Sequence, residues 1–168
     1  MSHHPIDSTQ MKRAAFVAAL GGGGLAVLTL GRARSSTGET YAVTHTDAQW
    51  RRLLGDDRYY ILREGGTEPP NSSPLIGEKR TGTYRCAGCS LALFSSKTKY
   101  DSGDGWPSFW DVLPNAIGKK ADHELLEART EVHCRQCGGH LGHIFDDGPS
   151  PTYLRYCIDG LALLFVPT

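Results

Sequence analysis

Glu131-Val132-His133-Cys134-Arg135-Gln136-Cys137-Gly138-Gly139-His140-Leu141-Gly142-His143-Ile144-Phe145-Asp146-Asp147-Gly148-Pro149 sets two short strand-like runs around a Cys-x-x-Cys turn. Residues 131–133 and 143–145 read as strands, and residues 146–149 as a turn. Working outward, residues 83–85, 91–94, 154–158 and 161–166 are further β-branched or aromatic runs separated by Gly, Pro and Asp. The expected fold is mainly β. Asp159-Gly160, between two apolar runs, signals a tight hairpin. Ahead of this region, the spacing of Trp50, Leu53, Leu54, Tyr60 and Ile61 predicts two short amphipathic helices, capped at Thr46 or Asp47 and broken at Gly55. Residues 66–77, with three prolines, should wrap the domain irregularly.

Cys86-Ala87-Gly88-Cys89 is a second Cys-x-x-Cys knuckle, matching Cys134 and Cys137. Four thiolates in two knuckles suit a tetrahedral zinc ion, structural in role because no coordination position is left open. With 44 residues between Cys89 and Cys134, the ion would staple two distant strand ends. Disulfides, a thioredoxin-like redox pair, or His140 replacing one thiolate are the competing readings.

The chain has five cysteines, so Cys157 stands apart from the two knuckles. Strand alternation puts Arg155, Cys157 and Asp159 on one face, where the cation of Arg155 favours a thiolate. On the strand alone, a buried inert thiol is the stronger reading. Two other groups bear on it. His140 and His143 can pass protons near neutrality, but at i and i+3 they reach one cleft only if the strand bends at Gly142. Gly103-Asp104-Gly105-Trp106-Pro107-Ser108-Phe109-Trp110 carries three aromatics on a bent segment, which suits core packing or a surface loop.

Charge bounds the partners. The chain carries 18 basic and 18 acidic side chains; residues 1–33 hold Lys12, Arg13 and Arg32 against Asp7, leaving 15 against 17 in the remainder. A domain of net charge −2 offers no electrostatic footing for nucleic acid or anionic lipid. Residues 1–33, with Lys12-Arg13 before an uncharged stretch over 14–30, read as an export signal or anchor, resembling a twin-arginine signal with Lys12 in the first arginine's place. Residues 34–46 read as a linker and 47–168 as one domain. A periplasmic or otherwise exported location is expected. Membrane association is expected only if the first segment stays uncleaved.

Together the residues resemble one family, the methionine-R-sulfoxide reductases, over about 47–165. The resemblance rests on the two knuckles, Leu93-Phe94, Lys99-Tyr100-Asp101-Ser102-Gly103, Gly105-Trp106-Pro107-Ser108-Phe109, the stretch 140–149 and Leu154-Arg155-Tyr156-Cys157. It implies two antiparallel sheets around one core, with short N-terminal helices, a distal structural zinc and a shallow cleft. It implies that Cys157 attacks the sulfoxide sulfur of a protein-bound or free substrate and becomes a sulfenic acid. Trp106 and Phe109 would wall the pocket for the substrate methyl group, and His140, His143 and Asp159 would orient and protonate the oxygen. Three positions depart from the family pattern: Asp159 replaces asparagine, Asp104 stands where many members carry a resolving cysteine, and Tyr153 replaces glycine. A cycle closed by a thioredoxin-like or other external thiol is implied. A non-enzymatic zinc-stapled binding module on the same fold is the alternative.

Overall fold

The computed structural model describes residues 40–123 and 128–168. The export segment and the first part of the linker lie outside the described residues. No helix among the described residues is long and apolar enough to cross a membrane.

One helical element, α1 (Asp47–Glu64), opens the domain, with a break at Gly55, where φ 70° and ψ 172° leave the helical region. The sequence signals account for its ends. Thr46 accepts from the Gln49 amide while the Gln49 side chain returns to the Thr46 backbone, closing a capping box, and Gly65 ends the helix at φ 73°. Trp50, Leu54, Tyr59, Ile61 and Leu62 are its buried face. Residues just before the helix lie against the second knuckle: Val43 donates to the Gln136 carbonyl, and the Tyr41 ring meets His133 edge-on at 6.0 Å.

Nine strands follow among the described residues: β1 (Gly82–Cys86), β2 (Ala92–Ser95), β3 (Lys99–Tyr100), β4 (Ser108–Phe109), β5 (Ile117–Asp122), β6 (Arg129–Cys134), β7 (His140–Phe145), β8 (Arg155–Ile158) and β9 (Leu163–Pro167). They form two sheets, of order β2-β1-β9 and β3-β4-β8-β7-β6-β5, with every pair antiparallel. The expected mainly β fold with two antiparallel sheets is what is found. Tyr84, Leu93 and Phe94 from one sheet meet Phe109, Tyr156 and Ile158 from the other in the core.

The expected hairpin at Asp159-Gly160 is absent. Both edges of β8 are occupied, by β4 and β7, so β9 has no place beside it and pairs with β1 in the other sheet. Residues 159–162 form instead a short 3₁₀ turn, Gly160–Ala162, that carries the chain between sheets.

The departure at Tyr153 also has a structural account. Tyr153 sits at φ 58°, bonded in a tight turn to the Pro149 carbonyl. Glycine occupies that region without a Cβ penalty, and tyrosine holds it here at some strain, with its side chain exposed.

Candidate active site

The two knuckles meet between the sheets. Cys86 ends β1 in the smaller sheet and Cys134 ends β6 in the larger, and the four sulfurs all lie within 4.8 Å of one another. Cys86 and Cys137 are 3.7 Å apart, Cys89 and Cys134 3.5 Å. Such separations exceed a disulfide bond of about 2.05 Å and suit the edge of about 3.8 Å that four sulfurs at 2.3 Å from one ion would make. Backbone amides shape each turn: Ser90 donates to the Cys86 carbonyl and Gly138 to that of Cys134. Helix α1 braces the second knuckle through Arg63, which donates to the Cys137 carbonyl at 3.0 Å. The cluster therefore fits a structural cation in its donor chemistry, its spacing and its position between strand ends.

Cys157 belongs to a separate row. Register places Tyr100, Ser108, Cys157, His143, Glu131 and Lys120 side by side across six strands, so all six share one face of the larger sheet. Glu131 lies three residues from Cys134, about 10 Å along the strand, which separates this row from the cysteine cluster. The Lys120 ammonium is 3.0 Å from Glu131.

Arg155 does not deliver the thiolate that the sequence led us to expect. Burial pushes the Cys157 thiol up to about 12, and the Asp104 carboxylate, through its charge and a hydrogen bond, adds to the rise; Arg155 pulls the other way and is outweighed. The reason is that the guanidinium is already engaged. It grips Asp147 with two nitrogens at 2.8 and 2.7 Å and also donates to Asp104. Asp104 is further held by Ser102 at 2.7 Å and the Trp106 amide at 3.1 Å. Burial works to raise the Asp104 carboxyl, but these bonds keep it below the usual range. Cys157 thus rests as a thiol beside a fixed anion.

The two histidines do converge, with ring centroids 5.5 Å apart. Gly142 makes this possible. Its φ of 145° bends β7, and a Cβ there would fall 2.1 Å from the Cys157 carbonyl oxygen, so no other residue fits without moving β8. His143 Nε2 lies 2.7 Å from Asp122, which Arg129 also holds at 2.7 Å. Burial keeps His143 below the ordinary imidazole range, against the pull of Asp122, so it is neutral at pH 7 and offers its other ring nitrogen to a ligand.

His140 is buried between two carboxylates: Nδ1 is 3.1 Å from Glu131, an ion-pair distance outside hydrogen-bond geometry, and Nε2 is 3.8 Å from Asp159. Burial works to raise Glu131, but its contacts with His140 and Lys120 hold it below the usual range. Asp159 moves the opposite way. Burial raises it to about 6, while a hydrogen bond from the Glu68 amide opposes the rise. Because this carboxyl ordinarily titrates near 3.8, the folded protein binds its proton more tightly than the unfolded chain, and stability falls as pH climbs from about 4 through 6. Asp159→Asn removes the buried charge and keeps an oxygen for the Glu68 amide. It is expected to stabilise the protein at pH 7 by about 2 kcal/mol, the gain vanishing below pH 4, as denaturant midpoints at both pH values will read.

Of the aromatic residues, Trp106 is half-buried and its Nε1 donates to the Glu68 carbonyl at 3.0 Å. Phe109, expected to wall the substrate pocket, is fully buried and stacks on Phe94 at 4.3 Å, with Tyr84 edge-on at 4.9 Å. Strand alternation explains the correction: in two-residue β4, Ser108 shares the Cys157 face and Phe109 faces the core. A groove of about 840 Å³, bordered by Tyr60, Arg80, Leu161 and Phe165, adjoins the site through Glu68 and Gly160 but includes none of Cys157, His140, His143 and Trp106.

The sequence matches the model of the SelR domain over residues 54–167. The chain belongs to the SelR domain family. It is similar to proteins named peptide methionine sulfoxide reductase MsrB. The protein from Agrobacterium fabrum is 49% identical over 126 residues, covering 74% of this chain and 93% of the relative. Those from Leptospira interrogans and Methanosarcina barkeri are 48% and 46% identical, covering 74% of this chain in each case and 96% and 88% of the relatives. Within this SelR domain, sequence reasoning missed Glu68, Asp122, Arg129 and Glu131 as site residues and noted Asp104 only as a departure. Glu131 opens the stretch around the second knuckle, and the other three carry no local signal. Asp122 ends a lysine-bearing strand with little β-branched character, and Glu68 lies in a proline-rich loop.

Proposed function

We propose that this protein reduces the R epimer of methionine sulfoxide, free or within oxidised proteins, to methionine, with Cys157 as nucleophile. The placement of Cys157 in register between Ser108 and His143, with His140, Asp159 and the Trp106 loop around it, carries the reading. The Cys157 sulfur takes the sulfoxide oxygen: the S–O bond to methionine breaks, a Cys157 sulfenic acid forms, and the thiol proton ends on that oxygen. His140 and Asp159 supply and return protons at the oxygen, since burial raises the Asp159 carboxyl to about 6. Neutral His143 orients the polarised S–O group, and the face of Trp106 receives the methyl group. Methyl on indole and oxygen on imidazole leave one direction for the rest of the substrate, which selects one epimer. Arg155 fixes Asp104 beside the thiol. Turnover of the R but not the S sulfoxide with dithiothreitol tests the assignment.

Cys86, Cys89, Cys134 and Cys137 hold a structural zinc ion, which supplies no chemistry beyond joining the two sheets. That leaves Cys157 without a resolving partner, because Asp104 occupies the place where a second thiol would attack. Two external thiols, from a thioredoxin-like or other donor, then reduce the sulfenic acid to thiol and water and become a disulfide. After one equivalent of substrate, dimedone is expected to label Cys157, read by mass spectrometry. An intramolecular disulfide without adduct would overturn the single-cysteine cycle. Export by residues 1–33 is proposed from their charge order and is tested by the N-terminus of the mature protein.

A further inference from the structure

Four hydrogen bonds at the edge of the cleft converge on a residue that none of the chemistry above uses. Glu68 lies in the irregular segment 66–77 and is 4% exposed. Its carboxylate accepts from the Gly160 amide at 2.5 Å and the Leu161 amide at 3.1 Å, the two residues that follow Asp159. Its own amide donates to Asp159 Oδ1 at 2.9 Å, and its own carbonyl accepts from Trp106 Nε1 at 3.0 Å. The approach is close: a Cβ on Gly160 would fall 1.9 Å from Ser73 Oγ and 3.0 Å from Glu68 Oε1. A second lace joins the same two segments where the Asn71 amide donates to the Gly105 carbonyl at 2.8 Å.

A buried carboxylate with both oxygens occupied by backbone amides is fixed, and it fixes the backbone that carries it. We propose that Glu68 is a positioning residue that straps segment 66–77 across the cleft. Its side chain anchors the turn after Asp159, and its main chain sets the Asp159 carboxyl and the plane of the Trp106 indole. The strap acts on both ends of the bound sulfoxide, the oxygen through Asp159 and the methyl group through Trp106. This rests on the placement of those two residues in the substrate cleft.

Glutamine at 68 keeps the size but has one oxygen for two amides, so one amide faces an NH₂ group. Alanine removes the anchor. Leu75→Ala, in the same segment, removes an apolar contact with the core and none of the hydrogen bonds that join Glu68 to Asp159, Gly160, Leu161 and Trp106. The test compares wild type, Glu68→Gln, Glu68→Ala and Leu75→Ala by steady-state reduction of R-methionine sulfoxide with dithiothreitol. It also follows the indole N–H resonances of ¹⁵N-tryptophan-labelled protein. Both Glu68 variants are expected to raise KM and lower kcat, for a combined loss of at least about tenfold in kcat/KM, and to shift the Trp106 resonance. Leu75→Ala is expected to lower the melting temperature and leave both readouts at wild-type values. If Glu68→Ala does not fold, Glu68→Gln decides. Folded Glu68 variants with wild-type kcat/KM and an unmoved Trp106 resonance would overturn the strap, as would equal changes in Leu75→Ala. Wild-type protein without turnover would defeat the reductase assignment instead, and the indole resonance would still decide the strap.

Discussion

Cys157→Ser is expected to reduce R-sulfoxide turnover by at least about four orders of magnitude, because the serine oxygen cannot carry the transferred oxygen through a sulfenic acid. The substitution is nearly isosteric, and the surrounding ladder from Ser108 and His143 is backbone-made, so the melting temperature should hold within about 2 °C. The measurement is thioether formation from each sulfoxide epimer with dithiothreitol, wild type and variant side by side. Turnover by the variant, or by the wild type on both epimers equally, would contradict the assignment. The raised thiol adds a second expectation: resting Cys157 should resist alkylation at pH 7, where a thiolate activated by Arg155 would react quickly. A non-enzymatic binding module predicts no turnover in either protein.

Loss of the metal is expected to cost the fold rather than the chemistry. Structural zinc contributes about 10–16 kcal/mol, comparable with the whole stability of a domain this size, about 5–15 kcal/mol. In this protein, it would join the end of β1 to the end of β6, elements of different sheets whose knuckles are 44 residues apart in the chain. The tail of α1 hangs on the same point through Arg63 and the Cys137 carbonyl. Cys134→Ser, or prolonged chelation, should therefore lower the melting temperature by more than about 15 °C or abolish the transition, with metal analysis of the wild type giving about one zinc per chain. Metal-free wild-type protein with an unchanged melt would exclude the structural role, and a reducible disulfide within either knuckle would support the redox reading.

The locally encoded features were legible. Thr46 sets the start of α1 and Gly55 its break because capping and positive φ are decided within a few residues. The spacing in each knuckle brings two thiols to one turn, and the i, i+3 spacing of the histidines demanded the bend that Gly142 supplies. What failed were inferences that depended on partners far along the chain. Asp159-Gly160 has the composition of a hairpin, yet whether two runs pair depends on free edges, and β8 had none. Phe109 has the chemistry of a pocket wall, yet its side is set by the pairing of β4 with β8.

By itself, then, the sequence determined six of the nine described strands, the pairing of the two cysteine knuckles and the isolation of Cys157 as the one thiol outside them, while β3, β4 and β5 carried no strand signal. Only the tertiary structure decided the state of that thiol. Arg155 is two residues away in the chain, but Asp104 is fifty-three away, and the fold brings it to the same sulfur while occupying the arginine's charge. Protonation follows the sum of burial and all neighbouring charges, which are fixed by long-range packing that no local window contains.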